Sequence, residues 1–149
     1  MQKAVIIYST TDGQTKRICE FLKQKLEAKI NIDLFSIEDI DQVELNFYDK
    51  IIIGASIRYG KHSPKLYKFI EKNIDVLKAK FTAFFTVNVV ARKEGKNTPD
   101  TNPYMKKFLQ LTNWQPNLLG VFAGKIDYPS YKFTDKQMIR LIMFITKGP

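Results

Sequence analysis

The sequence predicts an α/β fold, in which helices cover both faces of a parallel β-sheet. Continuous apolar runs, typical of strands buried on both faces, alternate along the 149 residues with segments whose apolar side chains recur at helical spacing. No internal repeat or low-complexity linker interrupts this alternation. Parallel strands need crossover connections, and right-handed helical crossovers place the helices in two outer layers. We therefore expect one domain over residues 1–149, a three-layer sandwich with five strands.

Five segments rich in Ile, Val and Phe are the predicted strands. Residues 50–57 give the clearest signal, because the run Ile-Ile-Ile-Gly-Ala-Ser-Ile is typical of a central strand. The predicted strands are residues 4–8, 30–37, 50–57, 81–90 and 118–123. Helices are expected at residues 14–26, from Pro64 to at least residue 77 and at residues 103–112, with a short surface helix in the acidic segment 38–44.

The turn between the first strand and the first helix is a predicted anion site. Its residues are Ser9, Thr10, Thr11, Asp12, Gly13, Gln14 and Thr15. Backbone N–H groups converge at a helix N-terminus, the helix dipole favours negative charge, and hydroxyl groups add hydrogen-bond donors. The turn contains no Lys and matches neither the nucleoside-triphosphate loop nor the dinucleotide fingerprint, so its neutral donors suit the phosphate of flavin mononucleotide (FMN). The alternative is an ordinary turn with Asp12 as the helix N-cap.

Two further loops belong to the same predicted site, because ligands of such sheets bind outside the carboxyl ends of the strands. The loop after the third strand contributes Ser56, Ile57, Arg58, Tyr59 and Gly60, and the loop after the fourth contributes Asn88, Val89, Val90, Ala91 and Arg92. Tyr59 can stack on a flat ring and Gly60 permits close backbone approach, although Tyr59 also fits a surface aromatic. We expect His62 to be a solvated loop side chain without a functional role.

The composition favours a folded protein with an anionic partner. The formal charge of +9 suits nucleic acid, an anionic lipid or an acidic small molecule. The single cysteine, Cys19, excludes an internal disulfide and a cysteine-rich metal site, and we expect it to be buried. The apolar run at residues 4–8 is too short for a secretory signal and no run approaches a membrane span, so the expected location is the cytoplasm.

Several motifs at the predicted strand ends carry a resemblance to a known family. They are the segments at residues 8–15, 53–60, 87–93, 98–102, 114–116, 123–129 and 138–143. They closely resemble the flavodoxin-type protoporphyrinogen oxidases, the quinone-dependent enzymes of bacterial haem synthesis, and the likeness runs essentially from end to end. It implies a flavodoxin-like fold with strand order 2-1-3-4-5 and bound FMN, with Gly124 among the FMN-binding residues. Asp12 departs from ordinary flavodoxins but agrees with this group, and we expect its carboxylate to cap the helix.

The resemblance also implies an activity. The family oxidises protoporphyrinogen IX to protoporphyrin IX and passes the electrons to a membrane quinone, with the flavin carrying the redox chemistry. Four cations near the predicted site, Arg58, Lys61, Arg92 and Lys93, either pair with the porphyrinogen propionates or are solvated surface charges. No residue is an evident general base.

Residues 128–147 are the segment that ordinary flavodoxins lack. From Leu141 onward its side chains are apolar in nearly every direction, more than a one-sided surface helix needs. We expect this segment to lie in the membrane interface, with Lys136, Arg140 and Lys147 on lipid phosphates, which makes the protein peripheral to the inner face of the cell membrane. The alternative is burial against another helix or in a homo-oligomer.

Family members continue with a final amphipathic helix that covers one sheet face beside the first helix. The chain ends at Pro149, so we expect that helix to be absent and the face to be bare or covered by something else.

Two other functions are alternatives to the oxidase. A soluble flavodoxin-like electron carrier is the first, but such carriers are usually acidic and lack the apolar segment. A nucleic-acid-binding module is the second, but the aromatic residues lie on no exposed basic β-face of the kind that binds RNA, so no nucleic acid is expected.

Overall fold

A single parallel sheet lies at the centre of the molecule. The computed structural model describes residues 2–9, 13–123 and 136–147. The strands are β1 (Lys3–Ser9), β2 (Asn31–Ser36), β3 (Lys50–Ser56), β4 (Phe81–Asn88) and β5 (Leu118–Ala123). They pair in parallel in the order β2-β1-β3-β4-β5, which confirms the predicted order. The direction of the strand order changes between β1 and β3, where α/β sheets bind their ligands.

Helices cover both faces of the sheet. They are α1 (Gln14–Leu26), α2 (Pro64–Lys72), α3 (Ile74–Ala79), α4 (Pro103–Leu111) and α5 (Lys136–Lys147), with 3₁₀ turns at Ile37–Gln42, Leu45–Phe47 and Val89–Arg92. The single helix expected after Pro64 is wrong, because the helix is interrupted at Asn73, whose φ is −112° and whose Nδ2 donates to the Phe69 carbonyl at 2.9 Å. Leu77, beyond the break, packs in the same core as α2. The apolar spacing therefore continues across the break, and periodicity alone does not reveal it.

Alternate residues of the central strands supply two separate cores. On one face, Ile53 and Phe84 pack with α2, α3 and α4, and the rings of Phe84 and Phe108 stack with centroids 3.8 Å apart. On the other face, Ile52 and Phe85 pack with α1 and α5. Because β3 is buried along its whole length, its continuous apolar run was a reliable strand signal.

Helix α5 covers the sheet face beside α1. Met138, Leu141 and Ile145 are fully buried in the core that also contains the first helix. Lys50, at the start of β3, is buried and its Nζ donates to the carbonyls of Phe144 at 2.8 Å and Ile145 at 3.0 Å, in the last turn of α5. Of the two alternatives expected for this face, a bare surface is therefore wrong, since the described helix α5 covers it.

Candidate functional site

The carboxyl ends of four strands lie side by side and bring the three predicted loops together. Ser9 pairs with Ala55, Ser56 with Val87 and Asn88 with Ala123. The loops that follow β1, β3 and β4 therefore start at one edge of the sheet, on both sides of the point where the strand order reverses.

The turn after β1 ends in a left-handed glycine. Gly13 has φ +88° and stands at the N-cap position of α1, a conformation that glycine adopts without steric cost. The first turn of a helix presents backbone N–H groups that have no partner within the helix, which suits an anion. Thr10, Thr11 and Asp12 lie outside the described residues, as does Gly124, so the capping role of Asp12 stays a prediction.

Among the residues that the structure describes, two buried hydroxyl groups at this edge have no hydrogen-bond partner. Thr15 is fully buried in the first turn of α1, and Ser56 is buried at the end of β3. Within the described ranges, their Oγ atoms are the buried side-chain polar atoms that remain unsatisfied. Leaving such a group unpaired costs about 1–3 kcal/mol, so both positions favour a ligand that accepts or donates hydrogen bonds here.

The loop after β3 is a tight turn that presents an aromatic ring. The Arg58 N–H donates to the Lys61 carbonyl at 2.9 Å and the Lys61 N–H donates back at 3.2 Å. Tyr59 and Gly60 at its centre have φ +53° and +76°, as in a type I′ turn. Tyr59 is 86% exposed and the Arg58 guanidinium lies 5.0 Å from its ring centre. A non-glycine residue in this conformation is uncommon, and here it holds an exposed tyrosine ring on the loop that follows β3.

The loop after β4 is closed at its base by two asparagine side chains. Asn88 Nδ2 donates to Asn102 Oδ1 at 3.2 Å and Asn102 Nδ2 donates to Asn88 Oδ1 at 3.0 Å. The Ala91 N–H also donates to Asn88 Oδ1, at 3.1 Å. The Asn88 side chain and the Ala91 N–H are thus used within the loop, whereas Val89 is 53% exposed beside the strand ends. The ring contacts predicted for this loop stay predictions.

His62 is buried, which makes the expectation of a solvated side chain wrong. Its Nε2 lies 2.8 Å from Thr86 Oγ1 and its Nδ1 lies 3.4 Å from the Tyr67 hydroxyl. The rings of Phe84 and Phe108 pack against it edge-on. This apolar surrounding disfavours the charged form and lowers the pKa of His62 to about 4. The sequence signal for a buried polar partner was Thr86, a polar residue within a predicted buried strand.

The exposed surface of α5 is smaller than the sequence indicated. Leu141, expected in the membrane interface, is fully buried, and Ile142 and Phe144 are half-buried against the core. Ile139 and Met143 are 38% and 50% exposed, and Arg140 is exposed between them in sequence. Among the described helices, none is both long enough and apolar enough to cross a bilayer.

Comparisons with known proteins agree on the fold. A family model described as "Flavodoxin domain" matches residues 5–149. The solution structure of two-electron reduced flavodoxin from Megasphaera elsdenii superposes with a TM-score of 0.66 at 14% identity, covering 93% of this chain and 95% of the flavodoxin. At that identity the likeness concerns the fold alone.

Two curated relatives share much more of the sequence. A Leishmania major protein named protoporphyrinogen IX dehydrogenase [quinone] is 43% identical over 148 residues, and an Escherichia coli (strain K12) protein of the same name is 41% identical over 147 residues. Each alignment covers 98% of this chain. The chain spans 64% of the length of the Leishmania protein, which is less than two thirds, and 81% of the length of the E. coli protein.

A flavodoxin domain implies bound FMN, and the described residues fit that group. The unpaired Thr15 hydroxyl at the start of α1 is suited to a phosphate oxygen, and the unpaired Ser56 hydroxyl offers a second polar contact at the same edge. Tyr59 and Val89 present exposed aromatic and apolar surface on the two loops beside them. The described residues therefore offer polar groups suited to a phosphate and exposed aromatic and apolar surface suited to a flat ring, which are the features that a flavin needs.

Proposed function

Because the chain belongs to the flavodoxin domain family, we propose that it is an FMN-dependent oxidoreductase that converts protoporphyrinogen IX into protoporphyrin IX and passes the electrons to a membrane quinone. The observation that carries the proposal is the 41–43% identity, over 98% of this chain, to proteins named protoporphyrinogen IX dehydrogenase [quinone]. Bound FMN would supply the redox chemistry, a two-electron oxidation that the substrate undergoes three times, with the quinone as the final electron acceptor.

The residues of the chain bind and orient the reactants in this proposal. Thr15 and the N-terminus of α1 hold the phosphate, and Ser56 offers a hydrogen bond to the polar edge of the ring. Tyr59, presented by the left-handed turn with Gly60, would stack on the ring and shield it from water. The remaining predicted contacts, from Thr10 to Gln14, from Ile57 to Arg58, from Asn88 to Arg92 and at Gly124, belong to the same proposal.

Charge favours an oxidase over an electron carrier. The substrate carries two propionates, and Arg58, Lys61, Arg92 and Lys93 are exposed cations on the loops that surround the site. A net charge of +9 raises the local concentration of an anionic substrate by long-range attraction. The same charge would repel the basic surfaces on which acidic electron carriers dock.

The quinone acceptor is confined to lipid, so we place the protein at the inner face of the cell membrane. Helix α5 offers the exposed side chains Ile139 and Met143 with the cation Arg140. Burying a large apolar side chain contributes about 1.5–3 kcal/mol, and each cation near an anionic leaflet about 1 kcal/mol. The alternative partner of this surface is a second copy of the chain.

The FMN assignment is tested at Thr15. Thr15→Ala removes the hydroxyl that has no protein partner and should weaken FMN binding by about 1.5–3 kcal/mol, measured by flavin fluorescence titration. Thr15→Ser keeps the hydroxyl and is the matched control. Equal FMN affinity in the wild type and Thr15→Ala would contradict the assignment.

The activity is tested anaerobically with the FMN-loaded protein. Protoporphyrinogen IX and a soluble quinone analogue should give fluorescent protoporphyrin IX, and an FMN-free sample is the control. A protein that binds FMN and exchanges electrons with redox partners, but forms no porphyrin, would be an electron carrier instead.

The membrane assignment is tested with anionic liposomes. The double variant Ile139→Ser, Met143→Ser should sediment less with the liposomes and lose turnover with a lipid-embedded quinone, while turnover with a water-soluble acceptor is retained. Phe47→Ser is the matched control, since Phe47 is 73% exposed but lies outside α5. If the double variant sediments like the wild type, α5 does not contact the membrane.

A further inference from the structure

A cavity of about 300 Å³ lies beside the candidate FMN site, between the loop after β3 and helices α2 and α4. Its lining includes Lys61, His62, Tyr67, Tyr104, Lys107 and Leu111. The cavity adjoins the loop that carries Tyr59, because Lys61 in its lining closes the same tight turn. A molecule bound in it would therefore lie next to the turn that presents Tyr59, the proposed ring contact.

The walls of this cavity are aromatic and apolar, whereas its charged groups are cations. Tyr67 and Tyr104 supply ring surface, and Lys61 and Lys107 are exposed at the rim. No carboxylate is among the described lining residues. His62 is held against Thr86 and Tyr67 by its two ring nitrogens, which fixes its ring at the floor. An apolar ligand that bears carboxylates matches this combination.

One other cavity, lined by Lys78 and Lys80 with no carboxylate among its described lining residues, lies at the amino end of β4, on the opposite edge of the sheet from the candidate FMN site. Three others have a different chemistry. The cavity on the other side of Tyr67 includes Glu71 in its lining, the one along α2 includes Glu38 and Asp41, and the one near Lys50 includes Asp49. A carboxylate in the lining repels an anionic ligand. The charge pattern therefore favours the cavity at Lys61 and Lys107 over these three.

We propose that this cavity binds the propionate-bearing edge of the tetrapyrrole substrate, with Lys61 and Lys107 as partners of the carboxylates. The inference rests on the proposed function and adds a location for the substrate. A volume of about 300 Å³ is at the lower end for drug-sized ligands, so one edge of the tetrapyrrole occupies it while the remainder extends towards the turn that presents Tyr59. The uncharged head group of a quinone would leave both lysines without partners.

Lys107→Gln tests the site, because Lys107 belongs to the rim of the cavity and lies outside the three predicted FMN loops. In the FMN-loaded protein, this variant should bind protoporphyrin IX roughly three- to tenfold more weakly, as expected for loss of one partly hydrated ion pair. The measurement is porphyrin fluorescence anisotropy. Lys106→Gln is the matched control, since Lys106 is its exposed neighbour on α4 and does not line the cavity.

The dimethyl ester of protoporphyrin IX provides the second arm, because it keeps the ring but lacks both carboxylate charges. The wild type and Lys107→Gln should bind the ester equally well. In turnover assays, KM for protoporphyrinogen IX should rise by the same factor in Lys107→Gln, with kcat and KM for the quinone unchanged.

Three results would overturn the inference. They are equal affinity of the wild type and Lys107→Gln for protoporphyrin IX, an equally large loss for the ester, and a change in KM for the quinone instead of the porphyrinogen. Failure of the proposed function is distinguishable from these. If the protein shows no oxidase activity but Lys107→Gln still weakens porphyrin binding, the carboxylate site stands and only the proposed reaction fails.

Discussion

The buried His62 should make the stability of the protein depend on pH in a way that one substitution removes. Burial lowers the pKa of His62 to about 4, whereas an unfolded chain returns it to about 6.5. Between these values the unfolded state binds one more proton than the folded state. The free energy of unfolding therefore decreases as the pH falls from about 6.5 towards 4, and above about 7 this contribution is constant.

The size of the effect follows from the two pKa values. Lowering the pH from 7.5 to 4.5 should cost about 2–3 kcal/mol at this residue, because each unit of displaced pKa corresponds to about 1.4 kcal/mol. His62→Gln keeps a hydrogen-bonding group near Thr86 but cannot be protonated in this range. It should be less stable than the wild type at pH 7.5, since it loses the ring contacts with Phe84 and Phe108.

Urea denaturation of the two proteins, both saturated with FMN, isolates the contribution. Carboxylates and the flavin phosphate also titrate in this range, but they are common to both proteins and cancel in the difference. The difference in unfolding free energy between the wild type and His62→Gln should shrink by about 2–3 kcal/mol between pH 7.5 and pH 4.5. A difference that stays constant would show that His62 titrates near its ordinary pKa and is not buried in neutral form.

Three further substitutions test other features. Lys50→Met removes the donor to the last turn of α5 and should cost about 1–3 kcal/mol in urea denaturation, with faster hydrogen exchange at residues 136–147; unchanged exchange there would contradict the contact. Gly54→Ala would overlap the ring of Phe85 and should destabilise by about 1–3 kcal/mol, which Phe85→Leu should partly relieve; strictly additive losses would contradict the overlap. Tyr59→Ala should loosen FMN by about 0.5–1.5 kcal/mol and change its reduction potential, whereas Tyr59→Phe should not. Wild-type affinity and potential in Tyr59→Ala would make Tyr59 a plain surface residue.

The sheet could be predicted from the sequence because its signal is local. A strand buried on both faces needs an unbroken apolar run, and residues 50–56 and 81–88 provide it directly. The position of the candidate site followed from the same assignment, since parallel strands all end on one side of the sheet and ligands bind beyond their carboxyl ends. The interruption at Asn73 was not predictable from periodicity, because Ile74 and Leu77 continue the apolar pattern of α2 on the same core.

The features that the sequence missed depend on partners that are distant in the chain. His62 is buried because Thr86 on β4 and Phe108 on α4 surround it, and neither is close to it in sequence. Helix α5 appeared suited to a membrane because its apolar residues point in nearly every direction. In the folded chain Leu141 is buried against the sheet. The Lys50 side chain, at the start of β3, donates a hydrogen bond to the Phe144 carbonyl near the end of the helix.

The paired amides of Asn88 and Asn102 make the loop between them a suitable insertion point for a reporter. The pair fixes the two ends of the loop, so added residues would extend a segment that is already closed rather than separate β4 from α4. Doubling the length of a flexible loop costs only about 0.6 kcal/mol. A short tag placed between Glu94 and Gly95, both exposed, would carry a fluorophore on the loop after β4, one of the three predicted FMN loops, and should report ligand binding there in real time.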